Sequence, residues 1–295
     1  MNSLGFPDYR IVGNGMTIPI NTGTPDVLGC YWTLDGEING WDSPIVRVSM
    51  LPKIGNDPAA DGEIPADLHY KGRELTMTLS AECSSEALRE SARLLLAGAL
   101  DLVNTTGIFY VDENVPKQLA INRANNMGQG RLMIVDEGYP QKMATQLPGL
   151  PVGSTTYLFK AALEIYAADP RKYAQTPVVI PIIAGSASVN NAGNTYSQNA
   201  IVTLTGLAGV GPLTISCGGR TMRLIVPTTP GPPLSPFPST LVVDIYNKII
   251  TDGSGNNYFY LRDLTTPWLQ FPPGVSAVTV TGATTGSIAY SSAWI

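Results

Sequence analysis

The sequence predicts a mainly β protein with two domains and a single amphipathic helix, and three observations carry this prediction. Gly and Pro number 30 and 24 among the 295 residues, which favours turns over long helices. Many short segments show the apolar patterns of strands, whereas one segment alone repeats apolar residues at helical spacing. At roughly 150 residues per domain, this length suits two cores.

Short strands between turns make up the predicted N-terminal domain. Residues 75–80 (LTMTLS) alternate apolar and hydroxyl side chains, the pattern of a strand with one buried face. Residues 55–65 are rich in Gly, Pro and Asp and predict a loop or an exposed arm. Further strands are predicted at 45–50, 107–112, 118–121, 130–136 and 157–166.

The segment 84–103 predicts the helix. Ser84 or Ser85 can cap its N-terminus, and Glu86 lies in the first turn, where the helix dipole favours negative charge. One apolar stripe at spacings of three and four contains Leu88, Ala92, Leu95, Leu96, Ala99 and Leu102. We therefore expect a single helix laid on a sheet.

The composition changes after a short polar turn at 169–173, and from residue 177 onward charged residues become rare. Short predicted strands then recur at the roughly 8–12-residue spacing of a β-sandwich. Residues 252–255 (DGSG) predict a hairpin turn, and six prolines in 226–239 predict an extended loop. We place the domain boundary near 170–177, which gives domains 1–174 and 175–295. The strands are predicted at 200–204, 213–217, 221–226, 240–244, 248–251, 258–261, 277–281 and 287–290.

The charge balance argues against a nucleic-acid partner. The formal net charge is −5 and the 18 Lys and Arg residues are scattered, whereas phosphate binding needs them clustered. The N-terminus has no basic stretch followed by an apolar one, so we expect no secretory signal. Because no window of 18 apolar residues occurs, we also expect no membrane span.

The three cysteines, Cys30, Cys83 and Cys217, are far apart and form no CxxC pair. This pattern argues against a structural zinc site and against a disulfide framework. We expect three buried thiols in a reducing compartment. The sequence predicts no cofactor.

Several residues could carry catalysis or ion binding, although each also has a structural explanation. His69 is the single histidine and would have to serve any Ser–His or Cys–His pair. The carboxylates Asp112, Glu113, Asp136 and Glu137 follow predicted strands and could act as a glycosidase pair. A calcium site in one loop would use Asp57, Asp61 and Glu63, without the spacing of an EF-hand. The Gly-rich segment 206–211 lacks the Lys-Ser/Thr of a phosphate loop.

Aromatic residues of the C-terminal domain are candidates for glycan contact. Trp268, Tyr258 and Tyr260 could stack on a sugar ring, with Asn256, Asn257 and Arg262 near in sequence. The alternative is that these aromatic rings pack in the sandwich core or in an oligomer interface.

Three stretches follow one another in a recognisable order. Residues 70–77 form a tyrosine–x–glycine–arginine strand before the helix, 168–173 form a polar junction, and 191–290 run from an Asn-Ala-Gly-Asn segment through Trp268 to a Pro-Pro-Gly turn and two strands. The motif residues are Tyr70, Gly72, Arg73, Asp169, Pro170, Arg171 and Gly274. In this order the stretches resemble the distal tail proteins (the siphovirus tail component family) of long, non-contractile-tailed bacteriophages, which are minor tail proteins.

The resemblance implies a fold and a role. The fold is an N-terminal split β-barrel with one helix, followed by a galectin-like β-sandwich. The role is structural rather than enzymatic: a homo-oligomer, expected to be a hexameric ring, joins the tail tube protein to the tail-tip hub protein and other tail-tip proteins. The implied location is the virion tail tip, after assembly in the host cytoplasm.

Two other functions stay open at this point. A glycan-binding module for host adsorption would use Trp268 and its neighbouring tyrosines. A cell-wall glycan hydrolase would use carboxylates from 112–113 and 136–137. The resemblance implies a structural role for the family motif residues.

Overall fold

Strands make up 56% of the computed structural model and form curled sheets. The structure describes residues 7–42, 47–48, 69–102, 106–126, 133–137, 141–142, 155–207, 212–225 and 237–295, and one α-helix lies among them. The prediction of a mainly β fold with one helix is confirmed. The chain divides into a first unit, Met1–Pro170 with Ile295, and a second unit, Arg171–Trp294.

The first unit is a curled sheet with the helix packed on it. Its main sheet has the strand order β10-β12-β6-β3-β2-β1-β7-β8, with β9 and β11 paired to β12, while β4 pairs with β5. The elements are β1 (Asp8–Gly13), β2 (Met16–Ile20), β3 (Tyr31–Asn39), β4 (Arg47–Val48), β5 (His69–Tyr70), β6 (Arg73–Cys83), α1 (Glu86–Leu100), β7 (Gly107–Asp112), β8 (Lys117–Ile121), β9 (Arg123–Asn126), β10 (Met133–Glu137), β11 (Gln141–Lys142) and β12 (Thr155–Ala167).

This sheet closes on itself as a barrel does. The chain passes from β8 through Asn122 directly into β9, which pairs with β12. The Asn122 N–H also donates to the Tyr166 carbonyl of β12 at 2.9 Å. The continuous segment β8–β9 therefore pairs with β7 at its start and with β12 at its end. Closing a sheet in this way leaves fewer exposed strand edges.

Alternation along β6 and the apolar stripe of α1 build the core of the first unit. Leu75, Leu79 and Ala81 of β6 are fully buried, as the period of two predicts. Ser85 is the helix cap, because its Oγ accepts the Leu88 N–H at 3.2 Å. The buried helix residues Ala92, Leu96, Ala99 and Leu100 include three members of the predicted stripe.

The second unit has two layers of strands around its own core. The elements are β13 (Lys172–Ala174), β14 (Val178–Ile183), β15 (Ser186–Asn191), β16 (Ala200–Leu207), β17 (Leu213–Cys217), β18 (Arg220–Leu224), β19 (Thr240–Asp244), β20 (Ile249–Asp252), a 3₁₀ turn (Phe259–Leu261), β21 (Gly274–Thr281), β22 (Ala283–Tyr290) and β23 (Ala293–Trp294). The strand order is β18-β17-β21-β15-β14-β22-β16-β19-β20.

The β14–β15 hairpin is the corner between the layers. These two strands share one register pair, Ile183 with Ser186, whereas β14 pairs along its length with β22 and β15 with β21. One layer is therefore β14-β22-β16-β19-β20 and the other β18-β17-β21-β15, an arrangement consistent with a β-sandwich. Because β14 leaves β15 just after the hairpin, the strand tolerates Pro181, which has no N–H to donate.

Two local predictions need correction. Residues 258–261 do not form a strand, because Phe259–Leu261 is a 3₁₀ turn. The predicted polar turn at 169–173 ends early, since Lys172–Ala174 form β13 and pair with β23. Lys172 and Tyr173 are both buried, so the polar composition of this segment did not indicate exposure.

The segment after β20 covers both edge strands of the second unit. The Tyr258 N–H donates to the Ile250 carbonyl of β20 at 2.8 Å. At the other edge, the Leu261 carbonyl accepts the Ile225 N–H at 2.7 Å, next to β18. These contacts cover part of each edge strand, and a covered edge is a poor template for pairing with another chain.

Some predicted features lie outside the described residues. These are the loop at 55–65, residues 226–236 of the proline-rich loop, and most of the predicted strand at 45–50, of which β4 is described. No α-helix in the described parts of the chain is long and apolar enough to cross a membrane.

Candidate functional site

Arg73 brings two of the motif stretches together. Its side chain is 4% exposed, and its Nε donates to the Pro170 carbonyl at 3.0 Å. Its Nη1 donates to the Gly40 carbonyl at 2.6 Å and to the Trp41 carbonyl. Burial lowers the pKa of the guanidinium, and the nearby Asp42 carboxylate acts in the opposite direction. One buried cation thus fastens the end of the first unit to two other segments.

The two motif glycines are required for different reasons. A Cβ on Gly72 would lie 2.5 Å from the Tyr166 hydroxyl, so only glycine leaves room for that ring. Gly274 has φ +82°, a conformation that glycine adopts at little cost. Tyr70 pairs through its backbone with Arg47, and its side chain lies outside what the structure describes.

At the start of the second unit, Arg171 is held by its own neighbours. Its Nη2 donates to Gln198 Oε1 at 2.9 Å and its Nη1 to the Tyr196 carbonyl at 3.3 Å. The guanidinium also lies 5.9 Å from the centre of the Tyr173 ring. Asp169 is partly buried. Within the polar junction, Arg171 therefore connects the start of the second unit to residues 196 and 198.

Asn191 fastens the second unit as Arg73 fastens the first. The side chain is fully buried, and its Nδ2 donates to the carbonyls of Thr195 at 2.7 Å and Phe271 at 3.0 Å. Its Oδ1 accepts the N–H groups of Gly193 and Ala293, both at 3.1 Å. This amide uses all its hydrogen-bonding capacity without carrying a charge.

The aromatic residues predicted for glycan contact lie close together, but they differ in availability. Tyr258 and Tyr260 stack with ring centres 5.8 Å apart, and Tyr260 is 55% exposed. The Trp268 ring is covered by the Arg262 guanidinium at 4.7 Å and has Phe259 at 6.4 Å. Tyr260 is therefore the ring most open to a ligand, and Trp268 is largely engaged within the protein.

The candidate catalytic carboxylates of β7 are paired with basic side chains. Asp112 lies 3.9 Å from the Arg10 Nε, and Glu113 lies 2.6 Å from the Lys117 Nζ. Ion pairs of this kind are common in structural roles at strand ends.

Other predicted sites lie where the structure gives no side-chain geometry. Asp136 and Glu137 belong to β10 and His69 to β5, but only their backbones are described. The calcium candidates Asp57, Asp61 and Glu63 lie outside the described residues. Among the residues that are described, no group of three or more His, Cys, Asp or Glu side chains is placed to hold a metal ion.

Sequence reasoning missed a broad surface on the second unit that carries a single charged residue. We call this surface the outer face. Cross-strand register aligns Val179, Ala289, Ile201, Asp244 and Ile249 in one row. Exposed fractions in this row reach 65% for Val179 and 43% for Ile201. Asp244 is the single charged member of the face, which consists of residues 179, 181, 183, 201, 203, 205, 240, 242, 244, 249, 251, 285, 287 and 289.

The sequence signal for this face is weak. Residues 178–183 (VVIPII) are apolar without interruption, so no alternation tells which side chains are exposed. Only the strand register assigns Val179 and Ile183 to the outside. Uncharged, β-branched surfaces of this kind suit contacts with other proteins.

Comparisons with known proteins find similarity among solved structures. No protein-family profile matches the chain, and no curated protein matches it. Among solved structures, the chain is similar to the Dit protein (gp 19.1) of phage SPP1, described as a paradigm of the hub adsorption apparatus in phages that infect Gram-positive bacteria. The TM-score is 0.58 at 14% sequence identity, over 97% of this chain and 99% of that one. Both units of the chain therefore share the fold of a phage adsorption-apparatus protein.

Proposed function

We propose that the chain is a structural protein of a bacteriophage tail tip, a distal tail protein that links the tail tube to the tail-tip hub and the receptor-binding apparatus. The observation that carries the proposal is the end-to-end fold correspondence with SPP1 Dit, which covers 97% of the chain. The motif stretches at 70–77, 168–173 and 191–290 favour the same family. The chain acts in the virion, after assembly in the host cytoplasm.

The two units take different parts in this role. The first unit builds a ring of six copies, and the second unit projects from it. The outer face of the second unit, with Asp244 as its single charge, supports a contact with other tail-tip proteins. The side chains of Val179 and Ile183 are 65% and 68% exposed. Exposing these apolar side chains to water is unfavourable, and contact with a partner protein would bury them.

The proposed role involves no catalysis. The carboxylates Asp112 and Glu113 form ion pairs with Arg10 and Lys117, which suits a structural protein. The motif residues Arg73 and Arg171 hold backbone and side chains of their own units. Both observations support a protein that works through its shape and its contacts.

Sedimentation velocity of the purified chain tests the proposed ring. Six 31.3 kDa chains give a closed particle of about 188 kDa, because a cyclic assembly stops growing when it closes. We expect this species to dominate at tens of micromolar and to keep its mass as the concentration rises. A chain that stays monomeric over that range contradicts the proposal, as does a mass that grows without limit.

Glycan binding is a second candidate function, favoured by the exposed, stacked pair Tyr258 and Tyr260. If this surface binds host glycans, Tyr260→Ala removes binding on a glycan array. Val275→Ala, which changes a residue that is 74% exposed on β21, is the matched control. Unchanged binding by Tyr260→Ala, or no binding by the wild-type chain, rejects this candidate.

A further inference from the structure

Two of the three cysteines face each other across neighbouring strands. Register places Tyr31 of β3 opposite Glu82 of β6, so Cys30 and Cys83 are the next pair in line. Both side chains are fully buried. The Cys83 thiol forms a hydrogen bond with Cys30, and the Cys30 thiol lies 3.8 Å from the Leu88 carbonyl of α1.

The backbone of Cys30 shows which kind of cross-strand pair this is. Its N–H donates to Asp26 Oδ1 at 2.9 Å, and its carbonyl accepts the Asp26 N–H at 2.8 Å. Both groups therefore point away from β6, so the two cysteines form a non-hydrogen-bonded pair. Such pairs have Cα atoms about 4.5 Å apart, within the range of about 4.4–6.8 Å that disulfides span.

We propose that Cys30 and Cys83 form a reversible disulfide when the protein meets a small-molecule disulfide. One thiolate attacks the small disulfide and forms a mixed disulfide, and the second cysteine then displaces the small thiol. One S–S bond forms and one breaks, two electrons pass to the small molecule, and the two thiol protons end on its two thiols. The short Cα spacing favours a bridge that small thiols can reduce again.

Access to this pair is controlled by Asp26. Its carboxylate accepts the N–H groups of Leu28 and Cys30, both at 2.9 Å, and the Trp32 Nε1–H at 2.7 Å. These bonds close the loop over Cys30, and only its tip is open, with Val27 83% exposed. The hydrogen bond to Cys30 and burial raise the pKa of the Cys83 thiol, so the closed state is unreactive. Oxidation therefore follows opening of this loop.

Refolding of the full chain with oxidised glutathione tests the bridge. After alkylation and proteolysis, mass spectrometry should find residues 30 and 83 in one cross-linked peptide that dithiothreitol separates, with Cys217 still alkylated. Cys83→Ser should abolish the cross-link, and Cys217→Ser should leave it intact. The inference is overturned if the wild-type chain yields no such peptide, or if Cys217 takes part as often as Cys83.

The native protein tests the role of Asp26. In oxidised glutathione without denaturant, Asp26→Asn should form the bridge about tenfold faster than wild type, the change that about 1.4 kcal/mol of easier opening produces. Asp252→Asn, in the second unit, should react at the wild-type rate. Equal rates for Asp26→Asn and wild type overturn the access step. None of these outcomes depends on the proposed tail-tip function, which sedimentation tests separately.

Discussion

Both units connect backbone segments that are distant in sequence through a buried polar side chain, but they differ in whether that side chain is charged. Each fastens distant backbone segments with a single buried polar side chain, but the first uses the cation Arg73 and the second the neutral amide Asn191. The difference extends to the whole units. Residues 1–170 hold 20 Asp and Glu against 12 Lys and Arg, and residues 171–295 hold 3 against 6. The first unit therefore holds most of the chain's ionisable side chains, whereas the second depends more on neutral hydrogen bonds.

The largest expected effect comes from Asn191→Leu in the second unit. This change removes four hydrogen bonds. It takes the acceptor from the buried N–H of Ala293 and from the partly buried N–H of Gly193. At about 1 kcal/mol per lost bond, we expect the free energy of unfolding of the second unit to fall by about 4 kcal/mol. Hydrogen exchange, measured peptide by peptide across a denaturant series, gives this free energy for each unit. The exposed Asn247→Leu is the control. Equal losses in the two variants would contradict this role of Asn191.

Arg73→Met should cost less, although it also breaks contacts with three carbonyls. The guanidinium is disfavoured by burial, which lowers its pKa, so removing the charge returns part of the loss. We expect the first unit to lose about 2–3 kcal/mol in the same exchange experiment. Arg93→Met is the control, because Arg93 pairs with Glu90 on the exposed face of α1. A loss in the second unit as large as in the first would show that Arg73 does not act locally.

The free energies of unfolding of the two units should also depend differently on pH. Burial, and then the charge of Asp35, raise the pKa of Glu82 in the first unit. The carboxylate is thus disfavoured in the folded state, so stability is greatest below the unfolded pKa of about 4.3 and is lost as pH rises through the folded value. Lowering the pH from neutrality to about 4.3 should therefore stabilise the first unit, and Glu82→Gln should remove this dependence.

The second unit should show the opposite sign at lower pH. Hydrogen bonds, first from the Asn256 side chain, lower the pKa of Asp252, and those from Thr265 lower that of Asp263. Their contribution is present above the unfolded pKa of about 3.9 and is lost as pH falls through the folded value. We expect no change between pH 7 and 5 and a decline below about pH 4. A double variant, Asp252→Asn with Asp263→Asn, should not show this decline.

The smallest effect on stability is expected on the outer face. Ile201→Lys changes a residue that is 43% exposed, and such surface changes usually alter stability by less than about 0.5 kcal/mol. If the first unit builds the ring, sedimentation of this variant gives the wild-type mass. Loss of the oligomer would instead place the ring contact on the second unit.

The sequence predicted what local patterns encode. Alternation identified the strand that became β6, and helical spacing with a serine cap identified α1. The helix, Glu86–Leu100, is shorter than the predicted 84–103. Leu102 belongs to the core of the first unit although it lies beyond the end of the helix. The 3₁₀ turn at Phe259–Leu261 was mistaken for a strand because three successive large side chains resemble a buried strand.

The long-range contacts could not be predicted from local patterns. Arg73 was identified as a motif residue, but its acceptor on Pro170 lies 97 residues away. Asn191 reaches Ala293 across 102 residues. The outer face depends on the register of five strands, which one sequence does not contain. For Trp268, the sequence could not show that the Arg262 guanidinium lies over its ring.

Electron microscopy of the purified chain in negative stain tests the central claim most directly. We predict class averages of a closed ring with rotational symmetry and a central hole. The same rings should survive Ile201→Lys. Fields of single, separate globules at a concentration of tens of micromolar would contradict the account.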